Sequence, residues 1–298
     1  MTPILAHVLC ISLAALDLVI RAWRTQIFLV ALRQPLPFRE VFIHGAIGEA
    51  ASSLTPLRLG GEPARAWAMS RAGVSATAAM VCVGVELLAT IPVIVLVAAA
   101  LGFAFAPEWW VVVGPGLIVA AVTQWPVILA VVVLSLVAWW LARRLLPDSV
   151  QAVRREIETA RAHASDLPLW VYLANVPLTI AQIGARVAIL PVLALTLPTP
   201  PPLFATIVGS FVLLYSQALI PTPAGAFAVE LGFVEGAAGE LGVEAAELLI
   251  IWRLYTTLLG LALGVAFAVY RYGWSAIPFK RPRPSERRER GAGSGKAD

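Results

Sequence analysis

The sequence predicts an all-α polytopic membrane protein, on the evidence of its composition, its apolar runs and the placement of its basic residues. Of its 298 residues, 59% are hydrophobic and only 13% are charged, and the mean hydropathy is +0.83. A soluble domain carries about 25% charged residues. Lipid is therefore the expected solvent of most of the chain, and no sizeable soluble domain is predicted.

Five apolar runs are long enough to cross the hydrocarbon core of a bilayer, which takes about 20 residues. They are residues 3–22, 74–105, 109–142, 167–197 and 243–270. The third run contains two breaks, Gly114-Pro115-Gly116 and Trp125-Pro126. It is therefore either one crossing or a crossing with a partial hairpin.

Basic residues determine the predicted topology, because Lys and Arg accumulate in cytoplasmic loops. Of the 22 basic residues, seventeen follow the first, third or fifth run, among them Arg21 and Arg24. The connections near Pro107 and Pro198, and the stretch 235–247, contain none. This pattern predicts a bacterial inner (cell) membrane protein with its N-terminus outside and its C-terminus in the cytoplasm. It also explains the net charge of +4, so no nucleic-acid partner is expected.

The chain is predicted to form one transmembrane domain, residues 1–278, followed by a disordered basic cytoplasmic tail, residues 279–298. Residues 148–165 carry apolar side chains on one helical face and charges on the other, which predicts a cytoplasmic amphipathic helix. Segments 41–72 and 203–241 are apolar but interrupted by Pro, Gly and charge. The topology requires each of them to begin and end on the same side of the membrane, so both are predicted to be re-entrant.

The two re-entrant segments share one order of elements. The first reads Thr55-Pro56, Gly60-Gly61 and Glu62, with Gly73-Val74 before the next span; the second reads Thr222-Pro223, Gly225 and Glu230, with Gly242-Val243 before the last span. The following spans run in opposite directions. The predicted fold class is therefore an inverted repeat with two re-entrant broken-helix hairpins, as in many secondary transporters. Chance similarity of short Pro/Gly motifs is the alternative.

Charged residues at membrane depth need a partner or a function, because each costs about 2.5–3.5 kcal/mol or more. Four acidic and four basic residues fall in this layer: Glu49, Arg58, Glu62, Arg65, Glu86, Arg186, Glu230 and Arg253. Thr-Pro ends a helix, and a new helix near Pro63 would offer free amides to an anion. Arg58 and Arg65 flank that helix start, and Arg suits bidentate phosphate contact. The alternative for individual members is structural ion pairing.

The predicted substrate-binding site accepts a phosphate-bearing group. Its residues are Thr55, Arg58, Gly61, Glu62, Arg65, Glu86, Arg186, Thr222, Gly225, Glu230 and Arg253. No catalytic residue, cofactor or metal is predicted, since the three histidines are scattered and the two cysteines lie in apolar runs.

At these motifs the sequence resembles the flippase-like membrane protein family related to the transmembrane region of lysylphosphatidylglycerol synthase. The resemblance covers roughly residues 5–275. Two departures stand out, because Leu57 and Ala224 occupy positions where Gly is expected after Thr-Pro. The resemblance implies a lipid flippase or transporter that moves an anionic phospholipid or a polyprenyl/hopanoid-type lipid between leaflets.

Two other functions remain open at the level of sequence. One is a membrane-embedded lipid-modifying enzyme with Glu62 or Glu230 as general base. The other is a non-transporting partner in a lipid or glycan biosynthesis pathway. The expected partners are a membrane lipid with an anionic headgroup and, as further candidates, lipid-biosynthesis enzymes and a second copy of the chain.

Overall fold

The computed structural model describes residues 1–105, 158–159, 162, 164–217, 222–224 and 244–273. Within these ranges the chain is mostly helical and contains no strand beyond one isolated bridge. The all-α fold class is confirmed. The predicted crossing at 109–142, most of the amphipathic helix at 148–165 and the tail at 279–298 lie outside the described residues.

The described residues form nine α-helices. They are α1 (Pro3–Ala31), α2 (Phe38–Leu54), α3 (Gly61–Arg71), α4 (Ala76–Phe105), α5 (Leu169–Val187), α6 (Ile189–Ala194), α7 (Leu203–Ser216), α8 (Glu244–Arg253) and, after a π-helical turn at Leu254–Leu258, α9 (Leu259–Tyr272).

Four apolar helical stretches are long enough to cross a membrane. They are Pro3–Ala31, Ala76–Ala104, Leu169–Ala194 and Glu247–Tyr272. Each coincides with one of the predicted crossings. The chain is therefore an integral membrane protein, as its composition indicates.

Helix α1 is longer than the sequence predicts, and this corrects the placement of two arginines. The helix continues to Ala31, whereas the first apolar run ends at residue 22. Arg21 and Arg24 therefore lie within α1 and not in a cytoplasmic loop. Together with Asp17 they follow a spacing of four and three residues, which places all three on one helical face. That face points into the protein, since Asp17 and Arg24 are buried.

The relative directions of the helices agree with the predicted order of crossings. Helix α5 runs antiparallel to α1, because Phe28 stacks edge-on against Tyr172 near one end while Cys10 contacts the carbonyl of Ile189 near the other. The chain segments that follow α1 and end α9 also meet, through a salt bridge of 3.5 Å between Glu40 and Arg271.

Helices α2 and α3 form a tight antiparallel hairpin. Gly48 of α2 lies against Arg65 of α3, and Ser52 lies against Gly61 next to the break. With 17 and 11 residues, the two helices are about 26 and about 17 Å long, shorter than the roughly 30 Å hydrocarbon core. Their lengths support the re-entrant placement, which we retain as a prediction.

Two glycines of α9 allow the last span to pack closely along α2. A Cβ added at Gly264 would lie 2.1 Å from the carbonyl oxygen of Ala46, and one at Gly260 would lie 2.9 Å from Cγ of Glu49. The Gly260/Gly264 pair therefore serves helix packing. It also holds Glu49 at its position in the interior.

Candidate functional site

The two Thr-Pro breaks meet in the folded chain. An isolated antiparallel bridge pairs Pro56 of the first break with Pro223 of the second. The predicted substrate site takes residues from both breaks, and in secondary transporters of this construction the site lies where the breaks meet. The bridge brings Thr55 and Thr222 to that meeting point, next to their prolines.

The backbone after each Thr-Pro adopts the left-handed conformation that favours glycine. Leu57 has φ of 54°, Arg58 has 58° and Ala224 has 49°. This conformation costs an L-residue roughly 1–2 kcal/mol. Leu57 and Ala224 are the two positions where the sequence motif leads one to expect Gly, so the two breaks share a backbone geometry as well as a sequence pattern.

Replacing Ala224 by Gly is expected to stabilise the protein. The change relieves about 1–2 kcal/mol of backbone strain and costs about 0.5–1 kcal/mol through the freer unfolded chain, so the net gain lies between zero and about 1.5 kcal/mol. Thermal unfolding in detergent measures it. The matched control is Ala64→Gly, within α3, which should lose about 1 kcal/mol. A similar loss of stability in Ala224→Gly and Ala64→Gly would contradict the inferred backbone strain at Ala224.

Two of the amides at the start of α3 are already hydrogen-bonded within the break. The Gly60 N–H donates to Oγ1 of Thr55 at 2.8 Å, and the Gly61 N–H donates to the carbonyl of Arg58 at 3.5 Å. A Cβ at Gly61 would lie 1.8 Å from Oγ of Ser52. Thr55 and Gly61 thus shape the break, and the charged side chains around it are the further groups that could bind an anion.

Those side chains line a cavity of about 430 Å³ beside the first break. This volume lies within the range of about 300–1,000 Å³ usual for ligand pockets, so the space is large enough for a lipid headgroup. Its wall combines apolar side chains from α4 and α5 with charged residues. The charged ones are five arginines and three glutamates: Arg21, Arg24, Arg58, Arg65, Arg186, Glu49, Glu62 and Glu86.

Glu49 is the centre of the first ion-pair cluster and is only 1% exposed. Its Oε2 accepts from Nη1 of Arg21 at 2.7 Å, and its Oε1 accepts from Nη2 of Arg58 at 2.6 Å. Nη2 of Arg186 donates to the same Oε1. The Nε of Arg186 lies 3.5 Å from Oδ2 of Asp17. One carboxylate therefore joins the break to α1 and α5.

Glu86 of α4 is the centre of the second cluster. Its Oε2 accepts from Arg65 at 2.9 Å and from the Thr25 hydroxyl at 3.1 Å, while Oε1 lies 3.7 Å from Arg24. Arg65 also pairs with Glu62 at 2.9 Å. This cluster joins α3 to α1 and α4, and its residues Arg24, Glu62, Arg65 and Glu86 line the same cavity.

The two clusters together carry an excess of positive charge. Among the described residues, five arginines face four carboxylates, those of Asp17, Glu49, Glu62 and Glu86, which leaves a formal charge of +1. An unbalanced charge at membrane depth is costly. A bound group with a single negative charge would neutralise the cluster.

The structure brings five of the eleven predicted site residues together on the cavity wall. They are Arg58, Glu62, Arg65, Glu86 and Arg186. Arg253 lies at the second break instead, where its Nη1 donates to the carbonyl of Ala224 at 2.8 Å. Gly225 and Glu230 lie outside the described residues.

Sequence reasoning missed four charged residues of the cluster. Asp17, Arg21 and Arg24 were missed although their spacing marks one helical face. Glu49 was counted among the membrane-depth charges but left out of the site. Gln182 of α5 lines the cavity beside Arg186.

The fold and the cavity define a class of protein: an all-α membrane protein in which two helix breaks meet beside a buried, arginine-rich space. The model of the lysylphosphatidylglycerol synthase transmembrane region matches residues 2–264, and the chain belongs to that family. No curated protein and no solved structure matches the chain. The match includes both breaks and every residue of the cavity wall, and it places the chain among membrane proteins of lipid metabolism.

Proposed function

We propose that the protein is a lipid flippase or transporter that moves an anionic phospholipid or a polyprenyl/hopanoid-type lipid between leaflets. The excess positive charge of the cavity is the observation that carries the proposal. The headgroup would enter the cavity while its hydrocarbon chains remain in lipid. We place the protein in the bacterial inner membrane, N-terminus outside and C-terminus in the cytoplasm, on the distribution of its basic residues.

Arg58 is the side chain best suited to receive the headgroup. It comes from the break itself, and its side chain is 17% exposed, against 2% for its partner Glu49. When Arg58 turns to a phosphate, Glu49 still keeps Arg21 and Arg186. Its guanidinium can hold a phosphate through two parallel hydrogen bonds. Binding therefore replaces one ion pair by another without leaving a buried carboxylate unpaired.

The test uses purified protein in phosphatidylcholine vesicles with a fluorescent phosphatidylglycerol, and an impermeant quencher reports which leaflet holds the label. The native protein is expected to bring label from the inner leaflet within reach of the quencher. Arg58→Gln should slow this about tenfold or more, because a hydrogen bond to a charged group contributes about 1.5–3 kcal/mol.

The matched control is Arg71→Gln, an exposed arginine on the same hairpin that lies over the ring of Trp67 outside the cavity. It should leave the rate unchanged. Equal rates for native protein and Arg58→Gln would contradict the proposed binding site. If the labelled lipid were chemically converted, the lipid-modifying enzyme would become the better reading. If the labelled lipid neither moved nor reacted, a non-transporting partner in a lipid or glycan pathway would become the better interpretation.

A further inference from the structure

A second, smaller cavity lies next to the headgroup cavity and shares part of its wall. Its volume is about 110 Å³. The described residues that line it are Arg58, Arg186, Leu214, Tyr215, Gln217 and Thr256. Three of them, Arg58, Arg186 and Tyr215, also line the larger cavity. The two cavities therefore adjoin at these three side chains.

Each of the two shared arginines has a hydrogen-bond partner in both cavities. Arg58 donates from Nη2 to Glu49 of the larger cavity at 2.6 Å and from Nη1 to Oε1 of Gln217 in the smaller one at 3.3 Å. Arg186 donates to Glu49 and also, at 3.3 Å, to the carbonyl of Thr256 in the smaller cavity. A phosphate bound by these guanidinium groups would lie at the junction, with space on either side for its two ester substituents.

Gln217 presents a buried acceptor to this junction. It is 2% exposed. Its Nε2 donates to the carbonyl of Leu213 at 3.2 Å, which leaves Oε1 to face Arg58. Among the described residues, Arg58 is the only donor to this oxygen. When Arg58 turns to a phosphate, Oε1 loses that donor, and a buried acceptor without a donor is costly. The cargo therefore has to supply a replacement.

A neutral hydroxyl is the donor that suits the smaller cavity. Its described lining includes two arginines and no carboxylate, so an ammonium group would be repelled. A cavity of about 150 Å³ holds benzene, so a space of about 110 Å³ has room for a unit the size of glycerol. A phosphodiester of a neutral polyol also carries a single negative charge, which matches the formal charge of +1 on the ion-pair clusters.

We propose that the smaller cavity binds the alcohol substituent of the cargo's phosphate, that this alcohol is a small neutral polyol, and that Gln217 selects it by accepting a hydrogen bond from one of its hydroxyls. The proposal rests on the proposed function and names the substrate class. The phosphate binds at Arg58, the polyol occupies the smaller cavity, and the lipid part extends through the larger cavity to the bilayer. Gln217 is thus a specificity-determining residue.

The test is a competition between unlabelled lipids for the purified full chain in detergent, with phosphatidylglycerol labelled on its acyl chain as the probe. Phosphatidylglycerol and phosphatidylethanol both carry one negative charge, but only the first has hydroxyls on its alcohol. The native protein should bind phosphatidylglycerol about fivefold or more tightly, because phosphatidylethanol leaves Oε1 of Gln217 without a donor. Phosphatidylethanolamine, which carries an ammonium group, should also compete weakly. Equal competition by phosphatidylglycerol and either of the other two lipids would overturn the proposal.

Gln217→Leu should abolish this selectivity, because it removes the accepting oxygen. The ratio of the affinities for phosphatidylglycerol and phosphatidylethanol should fall to about one. A merely structural defect would weaken both lipids alike and leave the ratio unchanged. The matched control is Gln26→Leu, at an amide outside both cavities that donates to the carbonyl of Leu36 at 2.9 Å, and it should keep the native ratio. A Gln217→Leu variant with the native ratio would overturn the proposal.

A second variant decides the question if Gln217→Leu does not fold. Gln217→Glu keeps the size of the side chain and adds a negative charge to the smaller cavity, so phosphatidylethanolamine should compete severalfold better than it does against the native protein. Unchanged competition would overturn the proposal. If phosphatidylglycerol and phosphatidylethanol bound equally and Arg58→Gln weakened both, the polyol site would be refuted and the phosphate site would stand. If neither lipid bound the native protein, the proposed function itself would be refuted.

Discussion

Glu49→Gln is expected to destabilise the protein more than any other single substitution at the cavity. The carboxylate is the shared partner of Arg21, Arg58 and Arg186. A neutral amide leaves three neighbouring arginines facing one another in the interior. Breaking a buried ion pair by removing one partner costs about 3–5 kcal/mol. Denaturant or thermal unfolding in detergent micelles measures the loss.

The matched control for this change is Glu247→Gln, an exposed glutamate at the start of the last span. It should alter stability by less than about 0.5 kcal/mol. Adding Arg58→Gln to Glu49→Gln should recover part of the stability, because it removes one of the three crowded positive charges. A Glu49→Gln protein as stable as the native one would show that the arginines are held apart by other contacts.

Much of this arrangement is predictable from sequence because a charge in an apolar run is conspicuous. On that basis the sequence predicts a common site for Arg58, Arg65, Glu86 and Arg186, and all four line the same cavity. Four of the membrane crossings are predictable because the apolar runs themselves are long enough to span a bilayer. The central role of Glu49 is not, because it depends on three residues 28, 9 and 137 positions away in sequence converging on one carboxylate.

The errors at the sequence level have an equally local cause. About 20 apolar residues suffice to cross a membrane, so the first charges after such a run read as its end. In α1 the helix continues because Arg21 and Arg24 find partners inside the protein, in Glu49, Glu86 and Asn175. Only the tertiary structure supplies those partners. The pattern Asp17, Arg21, Arg24 on one helical face was the available signal.

At the two breaks, too, some features depend on the local sequence and others on contacts made only in the folded chain. The left-handed backbone after Thr-Pro is a local property, and the family resemblance predicts it by placing Gly where this chain has Leu57 and Ala224. The bonding of the Gly60 and Gly61 amides is not visible in the sequence, since Thr55 and the carbonyl of Arg58 reach them only after the chain has turned.

The second large effect is expected for Gly264→Ala, which tests whether helix packing maintains the cavity. The added methyl would lie 2.1 Å from the carbonyl oxygen of Ala46 and 2.6 Å from Cβ of Ala50. Backbone cannot yield as a flexible side chain does, so α9 has to move away from α2. Overpacking of this kind costs about 1–3 kcal/mol, measurable by thermal unfolding.

The same shift is expected to reduce lipid movement, because Gly260, one turn before Gly264, lies directly against Glu49. The matched control is Gly209→Ala in α7, where no atom lies within 4 Å of the added methyl. That variant should gain up to about 1 kcal/mol, because Ala is the better helix former. If Gly264→Ala lost stability but moved the labelled lipid at the native rate, the position of Glu49 would not depend on the contact between α2 and α9. A folded variant with slowed movement would instead show that the last span holds the ion-pair centre in place.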